Sequence, residues 1–477
     1  MSGLFKKFIE FAIGNGLVMI LGLVSTPIVS RMIEPYEKGR ADIFITYTSL
    51  IVLILTMGLD QAYIRYFNEE NEENERGALL RRAVKVPIIL NFCLGAILLI
   101  FYKQVSNYMV EETSFFLVFL FAFHSFVSII SNFAMINVRM KQKAKSYSML
   151  GVINKVAFII FIVSLFYVFR NNYMTLVLAT VLGNLVMVIM AVLIERKDWF
   201  SLGKGVEVRT STKELIKYGT PFIFSMAITW VFQSIDRISI QLFSDYTQLG
   251  LYGGAMYIIS ILNTVQGAFT TFWVPVAYDK YHNNPEDRKF FSNINEIVSF
   301  FMLIIAIGLI ATKDLLIIIL GKKYEGAQFI FPFLVLMPIM YTISETTVLG
   351  INFKKKTKYH IYIAVASAIA NIIGNLILVP HLGAKGAAIS TGLAYVVFFV
   401  TRSYFGNKLY KVEVKYAKFF VSVISVYILA TISSIYKFNT IILVFTILST
   451  SVVLFMYKNV IKDIFTIIKS MLKGKNK

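Results

Sequence analysis

Trp230, Gln233, Arg237 and Gln241 recur at three- and four-residue spacing inside an otherwise apolar stretch, 215–243. On a helix that spacing places all four on one face. Arg237 is a permanent cation whose planar fork can grip a phosphate or carboxylate through two parallel hydrogen bonds. The neighbouring amides can replace the water around a polar cargo. Ionisable groups in membrane helices are costly and face a cavity or a partner. Asp236 is the nearest partner, but adjacent helical residues point about 100° apart, which leaves Arg237 available.

Other polar groups interrupt apolar runs. Gln61 and Arg65 share a face near the end of 41–64, with Asp60 beside them. Arg65 fits a cavity lining and a cytoplasmic boundary equally well. Lys155 lies two turns into 147–169 and either snorkels to the surface or faces a cavity. Asn15 and Arg31, on the first apolar stretch, complete the candidate cargo-binding set with Asn371. Asn371 and Asn375 share a face, for which interhelical hydrogen bonding is the plainer reading. Glu345 is a lone acid within 326–351, and Asp60 and Glu345 are the candidates for binding a coupling ion. A salt bridge to a neighbouring helix is the alternative for Glu345. His124 heads a polar stripe with Ser128, Ser131, Asn132 and Arg139, and lacks a second ligand at metal-binding spacing. No GxxxxGK[ST] loop, Ser-His-Asp set or paired thiols emerge, so neither cofactor, metal nor enzymatic activity is expected.

These residues need elements to hold them. The 477-residue chain is 57% hydrophobic and 16% charged. About twenty helical residues cross a bilayer. Fourteen apolar stretches are long enough: 8–33, 41–64, 86–102, 115–138, 147–169, 173–194, 215–243, 250–278, 292–312, 326–351, 359–379, 384–405, 416–436 and 439–457. Segments facing lipid must satisfy their own backbone hydrogen bonds, which predicts an all-α membrane protein. Of 47 basic residues, 35 sit at alternate breaks between stretches and 10 at the others, with Lys155 and Arg237 inside. The positive-inside rule then puts both termini in the cytoplasm. The net charge of +20 reflects this asymmetry and attraction to anionic lipid, not nucleic acid. Cys93 is alone, so no intrachain disulfide is possible. The run from Met1 to Ile33 is too long for a signal peptide and reads as a retained span.

The polar segment 196–214 divides the chain into halves, 1–195 and 215–410, each with six stretches. Tyr36…Gly39 and Tyr246…Gly250 occupy matching outer turns, as duplication would give. Equal orientation of such repeats is a transporter arrangement. Two further helices follow in 411–457, and a basic, amphipathic cytoplasmic tail in 458–477. The acidic cluster Glu69, Glu70, Glu72, Glu73 and Glu75 is expected to be a solvated loop.

Three groups of residues resemble the oligosaccharide-lipid flippases of the MOP superfamily, in particular Wzx-like O-antigen and capsule repeat-unit flippases of the polysaccharide biosynthesis protein family. One is Lys217-Tyr218-Gly219-Thr220-Pro221, followed by Asp236-Arg237 and Gly250-Leu251-Tyr252. Another is Lys354–Lys358 with Asn371, Asn375, Pro380 and Gly383-Ala384-Lys385-Gly386-Ala387-Ala388. The third is Gly58–Phe67. The resemblance implies two six-helix lobes around a cationic central cavity that opens alternately to either side. Its implied cargo is an undecaprenyl-(pyro)phosphate-linked oligosaccharide in a bacterial plasma membrane. A polymerase and glycosyltransferases are the implied partners. Fixed cations would compensate the headgroup, with Arg237, Lys155 and Arg65 supplying charge and Gln233, Gln241, Asn15 and Asn371 supplying hydrogen bonds. Three rivals stay open: a MATE-like cation or drug exporter favoured by Asp60, Asp236 and Glu345; a lipid II or teichoic-type precursor flippase; and an integral-membrane glycosyltransferase or polymerase. The first stretch has only Arg31 where lipid II flippases carry an arginine cluster. The outer loops are short for an enzyme.

Overall fold

A computed structural model describes residues 2–70, 72–200, 209–463 and 466, with side chains from residue 16 onward. Among the described residues there is no strand. The chain packs as two units, Met1–Arg237 and Ile238–Lys477. The first contains α1 (Ser2–Met32), α2 (Pro35–Thr56), α3 (Leu59–Tyr66), α4 (Glu73–Ile100), α5 (Tyr102–Val110), α6 (Phe115–Met140), α7 (Ala144–Phe169), α8 (Tyr173–Ile194), α9 (Arg196–Phe200) and most of α10 (Thr212–Phe243). The second contains α11 (Tyr246–Asn283), α12 (Arg288–Ala311), α13 (Lys313–Ile318), a 3₁₀ segment (Lys322–Phe329), α14 (Phe331–Leu334), α15 (Leu336–Glu345), α16 (Leu349–Phe353), α17 (Lys358–Leu409), α18 (Tyr416–Ser433) and α19 (Thr440–Met456).

Each predicted apolar stretch overlaps a helix. Among the described residues, nine helices are individually long and apolar enough to cross a membrane. The segments Lys322–Phe329 and Phe331–Glu345, bent by 57°, make a tenth if taken as one span. α17 runs 52 residues but breaks at Gly383, whose φ of 56° lies in the left-handed region. The motifs at Tyr36 and Tyr246, expected in outer turns, lie in the first turns of α2 and α11.

Short polar residues fix where several helices begin. A helix leaves its first N–H groups without internal partners, and these side chains accept from them. Ser114 caps α6 through Leu117 N at 3.1 Å, and Asn172 caps α8 through Met174 N at 2.8 Å. Asp245 and Asn439 do the same for α11 and α19. Apolar side chains such as Ile100, Val168 and Phe224 are exposed, as a lipid-facing surface requires. Around α3 the interior is apolar, with Leu59, Ala62, Tyr63, Leu79, Phe133 and Leu215 packed together.

The acidic cluster departs from expectation. Glu72 and Glu75 form a capping box that starts α4. Glu70 is fully buried and accepts from Thr210 N at 3.3 Å and Thr210 Oγ1 at 3.2 Å. Two of these acids therefore build a helix start, and a third binds the connecting segment. The basic tail beyond residue 463, apart from Thr466, lies outside the described residues.

Candidate functional site

α10 is helical throughout, so Trp230, Gln233 and Arg237 share a face as spacing predicts. Arg237 is half-exposed, and its Nη1 donates to the Gln233 carbonyl at 3.4 Å. Asp236 is buried. Trp230 Nε1 donates to Ser49 Oγ of α2 at 2.8 Å. This contact leads to a stripe that sequence reasoning missed: Lys38, Asp42, Thr46 and Ser49, at four- and three-residue spacing along α2. Lys38 is buried, pairs with Asp42, and lies within electrostatic range of Arg237. Its type and i,i+4 partner were visible, but its place at the head of an apolar run made it read as an outer-loop lysine.

α2 and α10 therefore meet at successive points, Lys38 near Arg237 and Ser49 at Trp230. They close at the far end through backbone. Met57 and Gly58 turn left-handed between α2 and α3, with φ of 51° and 68°. There Gly58 lies so close to α10 that a Cβ on it would stand 2.2 Å from the Gly219 carbonyl oxygen. A Cβ on Gly219 would stand 2.7 Å from the Gly58 carbonyl oxygen. Only two glycines permit this contact. Tyr66 and Tyr218 meet edge to face beside it, centroids 5.6 Å apart. Just past the break, Gln61 Nε2 donates to Asp60 Oδ2 at 2.9 Å. Asp60 Oδ1 is buried and has no hydrogen-bond partner among the described residues. Arg65 is exposed and paired with Glu69, one turn later.

The remaining candidates are dispersed. Lys155 of α7 is half-buried, with its ammonium 5.2 Å from the Phe158 ring and its stem beside Gly22 of α1. Arg31 is exposed in the last turn of α1. Asn15 falls outside the described side chains. In the second unit Gln241 Nε2 donates to Tyr246 Oη at 3.4 Å. Glu345 does not stand alone: Arg402 Nη2 meets its Oε1 at 2.8 Å, both groups buried. Arg402 follows a long apolar run and reads in sequence as a cytoplasmic marker, yet it turns into the protein to meet this acid. Asn371 is fully buried, and its Oδ1 accepts from Ser390 Oγ at 2.8 Å, across the α17 break. That contact matches its plainer reading. His124 stacks on Phe44 at 5.7 Å. The second unit also holds a polar cavity of about 540 Å³ lined by Asp245, Gln248, His381 and Lys385.

A separate charge network binds the segment after α8. Lys141 Nζ reaches Glu195 at 2.8 Å and Asp198 at 2.6 Å, and Lys143 also pairs with Glu195. Asn137 Nδ2 donates to Asp198 at 2.8 Å, and Tyr63 Oη donates to Asn137 Oδ1 at 2.8 Å. Burial opposes the Lys141 charge, but the two carboxylates outweigh it and raise its pKa above the ordinary lysine value.

With this geometry in hand, the chain was compared with known proteins. Residues 4–279, more than half of the chain, match the family model described as polysaccharide biosynthesis protein. An uncharacterized membrane protein of Methanocaldococcus jannaschii is 22% identical over 408 residues, covering 80% of each chain. Among solved structures, the lipid II flippase MurJ superposes with a TM-score of 0.70 at 15% identity, over 96% of this chain and all of that one. A multidrug resistance MATE family transporter of the MOP superfamily, in an inward-facing conformation, gives 0.53 at 14% identity, over 84% of this chain and 97% of that one. At such identities the likeness is one of fold.

Proposed function

The chain belongs to the polysaccharide biosynthesis protein family, and from that premise we propose that it is a flippase for an undecaprenyl-(pyro)phosphate-linked oligosaccharide. It carries this cargo from the inner to the outer leaflet of a bacterial plasma membrane and catalyses no covalent chemistry. On this reading both termini are cytoplasmic, a placement that the distribution of basic residues supports. The carrying observation is the seam of α10 and α2. There a half-exposed Arg237 stands beside Gln233 and Trp230, within range of the Lys38–Asp42 pair. A phosphate leaving water needs a fixed cation, and sugar hydroxyls need amides and hydroxyls in place of water.

The headgroup is anionic and the cell interior is electrically negative. Moving one uncompensated negative charge outward is favoured by about 2.3 kcal/mol per 100 mV. Asp60 supports a variant of this reading, because a buried carboxylate oxygen without a partner suits a coupling proton or cation. Glu345 is a weaker coupling candidate, since Arg402 already neutralises it.

Proteoliposomes loaded with a defined sugar-pyrophosphate lipid test both points. Arg237→Ala should lose transport while staying in the membrane. A potassium-diffusion potential, with no proton or sodium gradient, should bias wild-type transport toward the positive side. Transport indifferent to the sign of that potential would rule out electrogenic export, and full transport by Arg237→Ala would remove this seam from the mechanism.

A further inference from the structure

The first unit has a second feature with ligand chemistry, lined by residues other than those of the α2–α10 seam. α4, α6, α8 and α9 enclose an apolar groove of about 630 Å³. Ile88, Ile130, Ile189 and Val192 form its walls, and the largely exposed Phe200 stands at its mouth. Arg81 and Lys85, one turn apart on α4, line both this groove and an adjoining cleft of about 380 Å³ that Arg82 also lines. The groove thus has an apolar interior and a cationic rim, and counting spans from a cytoplasmic N-terminus puts that rim on the cytoplasmic side.

Arg81 and Lys85 define the rim, and Trp199 lines the wall. Arg81 is oriented by a hydrogen bond from Nη1 to the Asp198 carbonyl. Asp198 is itself held by Asn137 and Lys141. Lys85 is exposed and makes no hydrogen bond or ion pair among the described residues. Trp199, on the groove wall, has a buried indole N–H with no acceptor among the described residues. That N–H is closed off from the groove, and it is the indole ring that lines the wall, as is typical of the membrane interface.

We propose that the groove binds one anionic phospholipid of the phosphatidylglycerol type from the cytoplasmic leaflet. An acyl chain fills the apolar walls beside Trp199, and Arg81 and Lys85 bind the phosphate. The charge of the rim favours an anionic lipid over a zwitterionic one. This site is independent of what the protein carries.

The test is native mass spectrometry of the intact protein titrated with phosphatidylglycerol or with phosphatidylcholine of the same chains. The wild type should bind the first phosphatidylglycerol more tightly than phosphatidylcholine. A basic residue near a membrane surface contributes about 1 kcal/mol, so Lys85→Gln should weaken that first step about fivefold. Arg81→Gln with Lys85→Gln should weaken it about thirtyfold, leaving phosphatidylcholine unchanged. Arg81 also supports α9, so Lys85→Gln carries the test if the double variant misfolds. Equal affinity for the two lipids, or an undiminished preference in Lys85→Gln, overturns the proposal. So does preferential retention of a polyprenyl-phosphate lipid, or a dimer that covers the groove.

Discussion

Arg237 and Arg402 both interrupt or end apolar helices, yet the fold treats them in opposite ways. Arg402 is buried, with Nη1 donating to Ser344 Oγ at 2.7 Å and Nη2 paired to Glu345 at 2.8 Å. Tyr341 and Phe398 cover its guanidinium at 5.0 and 4.9 Å. Arg237 is half-exposed and donates to a helix carbonyl of its own turn. A buried charge with a complete set of partners has nothing left for a ligand. A half-exposed one bonded to a neutral carbonyl keeps charge to offer. An intramembrane ion is therefore functional or structural according to its partners, and the sequence shows the ion before it shows them.

The sharpest way to break this contrast is to remove one member of each set. Arg402→Ala leaves Glu345 buried without its counter-charge, which costs about 3–5 kcal/mol. The expected outcome is a large fall in melting temperature and in the amount of folded protein. The combined Arg402→Met, Glu345→Leu variant should recover most of that stability, because replacing both charges by apolar groups is often neutral. A stable Arg402→Ala protein would show that this pair is not structural.

Arg237→Ala should do the reverse. Losing hydrogen bonds to a charged group removes about 1.5–3 kcal/mol of binding, or roughly ten- to hundredfold in transport. Its melting temperature should stay near that of the wild type. Arg237→Lys should fall between, since charge remains but the planar fork is lost. A destabilised Arg237→Ala protein would place this arginine with Arg402 instead.

Gly219→Ala probes the other end of the seam. The added methyl would sit 2.7 Å from the Gly58 carbonyl oxygen, so α3 and α10 must separate. Overpacking of this kind costs about 1–3 kcal/mol. A lowered melting temperature with altered transport is expected, and a variant silent in both would mean that the glycine contact carries no strain.

Much of this was legible in the sequence because membranes impose simple rules. Apolar runs became helices because backbone groups in lipid have no other partner, and the face of Trp230, Gln233 and Arg237 followed from helical spacing. Partnership was not legible. Lys38 and Arg402 flank apolar runs, where a residue that snorkels outward and one that turns inward look alike. Glu70 looked like one solvated acid among five, and its partner Thr210 is 140 positions away. The Gly58–Gly219 approach joins two motifs that were each visible alone, but single residues do not announce which backbone they let in.

Lys141 supplies the smallest expected effect and the finest version of the comparison. It lies beyond the end of α6 and outside the hydrocarbon, with Glu195 and Asp198 as its partners. Burial works against its charge, the carboxylates outweigh burial, and its pKa stands above the ordinary 10.5. The folded state thus holds this proton more tightly than the unfolded state. The stability it contributes is fully present below the ordinary value and is lost as pH rises through the higher folded value. Thermal melts should show no pH dependence from this group between about pH 6 and pH 9, where its contribution is constant and complete, with the loss beginning only in strongly alkaline buffer. Lys141→Met should remove that alkaline loss while lowering stability at neutral pH, because Glu195 and Asp198 then face each other with less compensation. An alkaline loss that survives in Lys141→Met would assign it to another group, and would leave this network as packing rather than as a charge that stabilises the fold.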